Sequence, residues 1–336
     1  MPRETLSRYR PDRKESEPKS KTAWIYPGQG TQFVGMGLEL HNASKFASGI
    51  YRRSDRILGL PISQTSFDGP EDELDQTINA QPAIFIFNFI CDALLRKQGV
   101  VSSNKKMVAG HSLGEYNALV AGGVLSFKDA LLLVGERARA MSKACQINPG
   151  GMIAVPLRET DERLNTMKSF GMEVSIVNSH EQTVLSGTQD NINRTMEWMG
   201  AEGIKGSRLK VEGAFHSSLM EPAVEDFSKA LAMVNIRPAR ISIVANTTAT
   251  LIQTPEEIRR ELIDQLTHTV LWKDSLILMT RNGIGQTVEI GEKGILSTMN
   301  LKVNGGKIEK IRLFIKGTAI NFVVWQQNSQ AVPQLA

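Results

Sequence analysis

"MVAGHSLGEYNALVAGG", residues 107–123, joins an apolar stub to a helix-like segment through Gly110-His111-Ser112-Leu113-Gly114. Gly-x-Ser-x-Gly between a strand and a helix is the nucleophile-elbow pattern. The turn is so tight that only glycines two residues to either side let the backbones pass. It lifts the serine hydroxyl clear of the sheet, and the helix N-terminus offers free N–H groups to a developing negative charge. A serine at its ordinary pKa is a weak nucleophile and needs a base. The chain has five histidines. His111 adjoins the serine, where neighbouring side chains point apart. His41 lies on a polar helix face, His180 follows a strand end in a small insert, and His268 follows a helix. His216, in "VEGAFHSSLMEP", sits where a strand gives way to a helix. Catalytic groups of α/β sheets gather at such strand ends, so His216 is the candidate base.

Working outward, the chain alternates strand and helix. "TAWIYPG" reads as a strand, "FVGMGLELHNASKFASGIYRRSDRILG" as broken helix, and "QPAIFIFNFICDALLRKQG" as an apolar helix stopping near Gly99. "KMVAG" is a strand, and "SFKDALLLVGERARAMSKAC" a helix opened by Ser126 and Asp129. This alternation predicts a parallel sheet covered on both faces. From "NPGGMIAV" the texture shifts to a βαββαβ order over 150–211, a split βαβ subdomain inserted in the larger unit. The large pattern resumes near Glu212 with a helix over "FHSSLMEPAVEDFSKALAM", a strand "ISIVAN", a helix "TPEEIRRELIDQL" and a strand "QTVEIG".

Composition narrows the function classes. The 336 residues are 41% hydrophobic and 22% charged, ordinary for a globular protein. Residues 1–22 carry a net +3 of the chain's +4, so the remainder has no basic footprint for nucleic acid. That polar, Pro-containing segment reads as a disordered tail. It lacks the apolar stretch of a signal peptide. The longest apolar run, "AIFIFNFICDALL", spans 13 residues and includes Asn88 and Asp92. It suits a buried helix better than a membrane span. Cys91 and Cys145 stand 54 positions apart with no CxxC, which argues against a zinc site and fits a reducing cytoplasm.

Several blocks together carry a family resemblance. "YPGQGTQFVGMG", "GHSLGEYNALVAGGVL", "ERARAM", "VNSHEQTVLSG", "GAFHSSLM" and "QLTHTVLW" occur in order across residues 24–300. In this the chain resembles the malonyl-CoA:acyl carrier protein transacylases and the related acyltransferases of polyketide synthases. The resemblance implies an α/β-hydrolase-like parallel-sheet large domain with an inserted ferredoxin-like subdomain. The implied division is a tail over 1–22, a core over 23–149 and 212–315, the subdomain over 150–211, and an extension over 316–336.

By the same resemblance Ser112 is the nucleophile, His216 its base, and Gln265 the residue whose carbonyl orients the histidine. The N–H groups of Gln29 and Leu113 form the oxyanion hole. Arg137 pairs with the free carboxylate of malonate, with His111, Asn178 and Phe215 beside the substrate. Phe215 would fill the space of an α-methyl branch, though one methyl discriminates by only about 1–3 kcal/mol. The implied reaction is ping-pong: malonyl-CoA loads Ser112, and the phosphopantetheine thiol of an acyl carrier protein takes the group away. Malonyl-CoA is a substrate, and no cofactor, metal, nucleic acid or membrane is implied. The basic residues Lys205, Arg208 and Lys210 are candidates for a carrier-docking rim.

Three positions depart from the family pattern: Gly291-Glu292-Lys293-Gly294, His268-Thr269-Val270, and Ala138 after the arginine. A discrete polyketide-pathway acyltransferase, a proofreading acyl hydrolase and a silent carrier-binding module stay open as alternatives. Arg137 weighs against the hydrolase, and the intact Ser112, His216 and Arg137 weigh against the silent module.

Overall fold

The structure, a computed structural model, describes residues 21–97, 105–304, 308–316 and 319–327. Gly99 and residues 1–20 of the expected tail lie outside the described residues.

Strand β1 (Lys21–Tyr26) leads to α1 (Leu38–Ala43), α2 (Lys45–Leu58), α3 (Ile62–Asp68), α4 (Glu71–Asp75) and α5 (Thr77–Lys97). Strand β2 (Lys105–Gly110) runs into α6 (Gly114–Ala121), and α7 (Phe127–Ile147) follows. The insert comprises β3 (Gly150–Val155), α8 (Arg163–Ser169), β4 (Glu173–Ser179), β5 (Gln182–Thr188), α9 (Gln189–Ala201) and β6 (Ser207–Arg208). Beyond it come α10 (Glu221–Ala232), β7 (Ser242–Val244), β8 (Leu251–Ile252), α11 (Pro255–Asp264) and α12 (Trp272–Arg281). The described chain closes with β9 (Ile284–Ile290), α13 (Ile295–Asn304), β10 (Ile308–Lys316) and β11 (Ala319–Gln327).

Seven strands form the large sheet in the order β11-β10-β9-β1-β2-β7-β8. The inner five run parallel, and β8 and β11 add antiparallel edges. β1 is buried along all but its first residue, as a strand covered on both faces must be. Helix α5 is apolar nearly all round because it runs through the core. By length and composition it could cross a membrane, but 78% of its apolar window is buried inside the protein. The insert is a four-stranded antiparallel sheet, β4-β5-β3-β6. It has its own apolar core, which includes Leu164, Met167, Leu185 and Ile192.

Two boundaries differ from the sequence reading. The ladder starts at Lys21, two residues inside the expected tail, where Thr22 pairs with both neighbouring strands. Main-chain pairing extends past the apolar run that marked the strand. The helix expected from Phe215 begins only at Glu221, after a 3-10 turn over Ser218–Met220. His216 has φ 56, a left-handed conformation that no helix accommodates.

The turn after β2 works as its glycines require. A Cβ on Gly110 would fall on the Gly114 backbone, and one on Gly114 would fall on the Tyr26 carbonyl of β1. The His111 N–H also donates to Tyr26 O at 2.9 Å, so the elbow is wedged onto the neighbouring strand end. Gly114→Ala should therefore destabilise the fold by about 1–3 kcal/mol or more. Urea denaturation reads this directly, and an unchanged midpoint would contradict the contact.

Candidate active site

Ser112 projects from the junction of β2 and α6 with φ 50, a strained value for a residue with a Cβ. Its Oγ lies 2.8 Å from Nε2 of His216. On the other side of the ring, Nδ1 donates to the main-chain carbonyl of Gln265 at 2.6 Å. That bond fixes the tautomer: Nδ1 carries the proton, so Nε2 is free to accept the serine's. His216 is 3% exposed. Burial, and then the charge of Arg137, hold its pKa down to about 3, so the ring rests neutral.

Arg137, on α7, is fully buried. One terminal nitrogen donates to Gln81 Oε1 at 2.8 Å, the other to Gln265 Oε1 at 2.9 Å and to Ser112 Oγ at 3.1 Å. Its face lies over the Tyr116 ring at 5.8 Å, and Nε has no partner. Every acceptor it meets is neutral, and among the described residues no carboxylate lies within ion-pairing distance. Burial lowers its pKa, but a guanidinium keeps its proton. The protein thus holds a buried guanidinium beside Ser112 with no carboxylate bonded to it.

The Gln29 loop rests against the elbow. A Cβ on Gly28 would strike His111 O and stand 3.5 Å from the Leu113 nitrogen. Neither the Gln29 N–H nor the Leu113 N–H has an acceptor among the described residues. The loop is braced by Thr31 Oγ1 donating to Gly28 O at 2.8 Å and by Gly30 N–H donating to Gln32 Oε1 at 2.8 Å. Lys293, in one of the departing segments, donates to Gln32 O at 3.0 Å and lies over the Phe33 ring.

His111 and Asn178 meet each other: Nε2 lies 3.0 Å from Asn178 Oδ1, and Asn178 Nδ2 donates to Gln182 at 3.0 Å. They join the elbow to the four-stranded sheet. Burial lowers the His111 pKa and keeps that ring neutral too. Thr269 and Val270, a second departure, serve the same seam by bonding to Val174, Ser175 and Val177 of β4. Phe215 is buried in the large core, and its carbonyl accepts from Ser186 Oγ at 2.7 Å. Of the three rim cations, Lys210 is paired with Asp75 and Glu71, Arg208 is bonded to Gln189 and Asn193, and Lys205 is exposed.

The structure adds residues that sequence reasoning missed. Gln81 reads as part of an apolar helix, but its oxygen holds Arg137. The side chain of Gln265 reaches Arg137, Glu115 and the Ser112 carbonyl, where the sequence reading used only its main chain. Glu115 and Glu261 are buried carboxyls behind the elbow, both pushed above the ordinary carboxyl range by burial. Polar residues inside apolar runs were the one available signal for Gln81 and Glu115.

The model of the acyl transferase domain family matches residues 23–300. The chain belongs to that family. It is 34% identical over 292 residues to the malonyl CoA-acyl carrier protein transacylase of Bacillus subtilis (strain 168), covering 85% of this chain and 91% of that one. The fold matches an acyl-carrier-protein S-malonyltransferase from Burkholderia pseudomallei with TM-score 0.79 and 32% identity, over 86% of this chain and 95% of that one. It also matches a malonyl-transacylase in complex with a type II polyketide synthase acyl-carrier protein, with TM-score 0.81 and 28% identity, over 87% and 95%.

The lowered histidine pKa sets a pH dependence. A base with a depressed pKa binds its proton only in more acid solution. The rate of serine acylation should therefore hold from about pH 8 to about pH 5, with no fall through the ordinary histidine value of about 6.5. Rapid-quench acylation rates across that range test this, and a half-maximal rate near pH 6.5 would contradict it.

Proposed function

We propose that Ser112 and His216 transfer a malonyl group from malonyl-CoA to the phosphopantetheine thiol of an acyl carrier protein. The protein is thus a malonyl-CoA:acyl carrier protein transacylase serving fatty acid or polyketide synthesis. Ser112 Oγ attacks the thioester carbonyl while His216 Nε2 takes the hydroxyl proton. The oxyanion accepts from the N–H groups of Gln29 and Leu113. The intermediate collapses, the C–S bond breaks, and His216 returns the proton to the departing sulfur, giving CoA and a seryl ester. In the second half the carrier's thiol yields its proton to His216 and attacks that ester. Its collapse returns the proton to Ser112 and releases malonyl carrier protein. No redox step or metal is needed.

The observation that carries this reading is Arg137, buried, without a carboxylate partner, and 3.1 Å from the nucleophile's oxygen. A planar guanidinium can hold the free carboxylate of malonate through two parallel bonds. Asn178 and His111, bonded to each other beside Ser112, would lie next to the substrate, and the buried Phe215 would fill the space of an α-methyl branch. The separate four-stranded sheet, which runs from β3 at Gly150 to β6 ending at Arg208, supports domain boundaries at 149/150 and 211/212. Cys91 and Cys145 are free and buried, which supports action in a reducing cytoplasm.

Bonds to charged groups contribute about 1.5–3 kcal/mol each. Arg137→Ala should therefore lower kcat/KM for malonyl-CoA by about 100-fold or more while changing acetyl-CoA by less than about tenfold. Radiolabel transfer to a holo carrier protein measures both donors side by side. Equal losses for the two would remove the arginine from substrate selection.

A further inference from the structure

Asn246 and Glu261 touch no reacting atom, yet they hold the backbone from which the nucleophile projects. Asn246 lies just past β7 and is 1% exposed. Its Oδ1 accepts the Ser112 N–H at 2.7 Å, and its Nδ2 donates to the Gly110 carbonyl at 2.8 Å. Those are the main-chain groups on either side of His111. The ladder between β2 and β7 ends at Ala109 and Val244. From there the amide side chain does what a strand would do, and pairs with the chain as it turns. Ser112 is held at a φ that persists only where its surroundings over-determine it.

Asn246 is itself anchored. Glu261 Oε1 accepts its N–H at 2.7 Å and that of Thr247 at 2.9 Å, and the other oxygen takes the Thr247 hydroxyl. The Leu271 N–H donates to the Asn246 carbonyl at 2.7 Å. Glu261 is 4% exposed on α11, and Gln265 follows four residues later, which places both on one side of the helix end. That helix therefore reaches both reacting partners. Through Glu261 and Asn246 it holds the serine backbone. Through the Gln265 carbonyl it holds the histidine ring.

We infer that Asn246, anchored by Glu261, is a positioning residue that keeps Ser112 Oγ in register with His216. By occupying the Ser112 N–H it also leaves the Leu113 N–H as the elbow's donor to the oxyanion. The inference rests on Ser112 as nucleophile.

Rapid-quench kinetics of malonyl-CoA with wild type, Asn246→Ala, Asn246→Asp, Glu261→Ala and Glu261→Gln tests it. Burst amplitude counts correctly folded sites, and the burst rate constant reports alignment. Asn246→Ala and Glu261→Ala should acylate about 10- to 100-fold more slowly at full amplitude, with the malonyl-CoA concentration giving half-maximal rate unchanged. Glu261→Gln keeps an acceptor oxygen and should recover most of the rate. Asn246→Asp keeps the volume but cannot donate to Gly110, so it should stay slow, and it decides the matter if the alanine variant does not fold. Unchanged rate constants would overturn the inference. So would reduced amplitude at a normal rate, the mark of a scaffold role alone. A wild-type enzyme with no burst adduct would remove the seryl mechanism instead.

Discussion

The arrangement depends on a positive charge buried beside Ser112. A buried guanidinium is costly, and Arg137 hydrogen-bonds only to neutral groups, Gln81, Gln265 and the Ser112 hydroxyl, over the Tyr116 face, with the buried Glu115 carboxyl reached through Gln265. A carboxylate in their place would offset the charge and leave nothing for a substrate to satisfy. The same charge lowers the His216 pKa and so helps keep the base unprotonated. On the proposed reading, the charge that would bind an anionic acyl group also adds to the effect of burial in keeping His216 neutral.

Gln265 couples the parts. Its carbonyl orients the His216 imidazole and its side chain bridges Arg137 to Glu115 and the Ser112 carbonyl, so Ser112, His216 and Arg137 are all referred to one residue at the end of α11. A carboxylate in the orienting position would sit close to Arg137 and pair with it. A main-chain carbonyl orients the ring without adding charge. The small sheet is joined to the same centre by the His111–Asn178 bond and by the pairing of Val270 with β4.

Much of this was legible in the sequence because local chemistry specified it. The elbow glycines are required by close backbone approach, and the alternation of apolar strands and helices dictates a covered parallel sheet. The βαββαβ order of the insert was readable from its short period and appears as the β4-β5-β3-β6 sheet. The missed features are those that depend on distant partners. Gln81 meets Arg137 across 56 positions and Asn246 meets Ser112 across 134, and no periodicity announces such pairs. β8 has two residues, too few to leave a pattern. The positive φ of His216 keeps it out of the expected helix, and no pattern in the sequence marks such a φ at a histidine.

The most direct test of the account is intact-protein mass spectrometry of wild type and Ser112→Ala after brief exposure to malonyl-CoA, with the modified peptide mapped by proteolysis. The account predicts one malonyl group on the wild type, located on the peptide that contains Ser112, and none on the variant. An adduct that persists in Ser112→Ala, or CoA released by the wild type with no adduct formed, would contradict it.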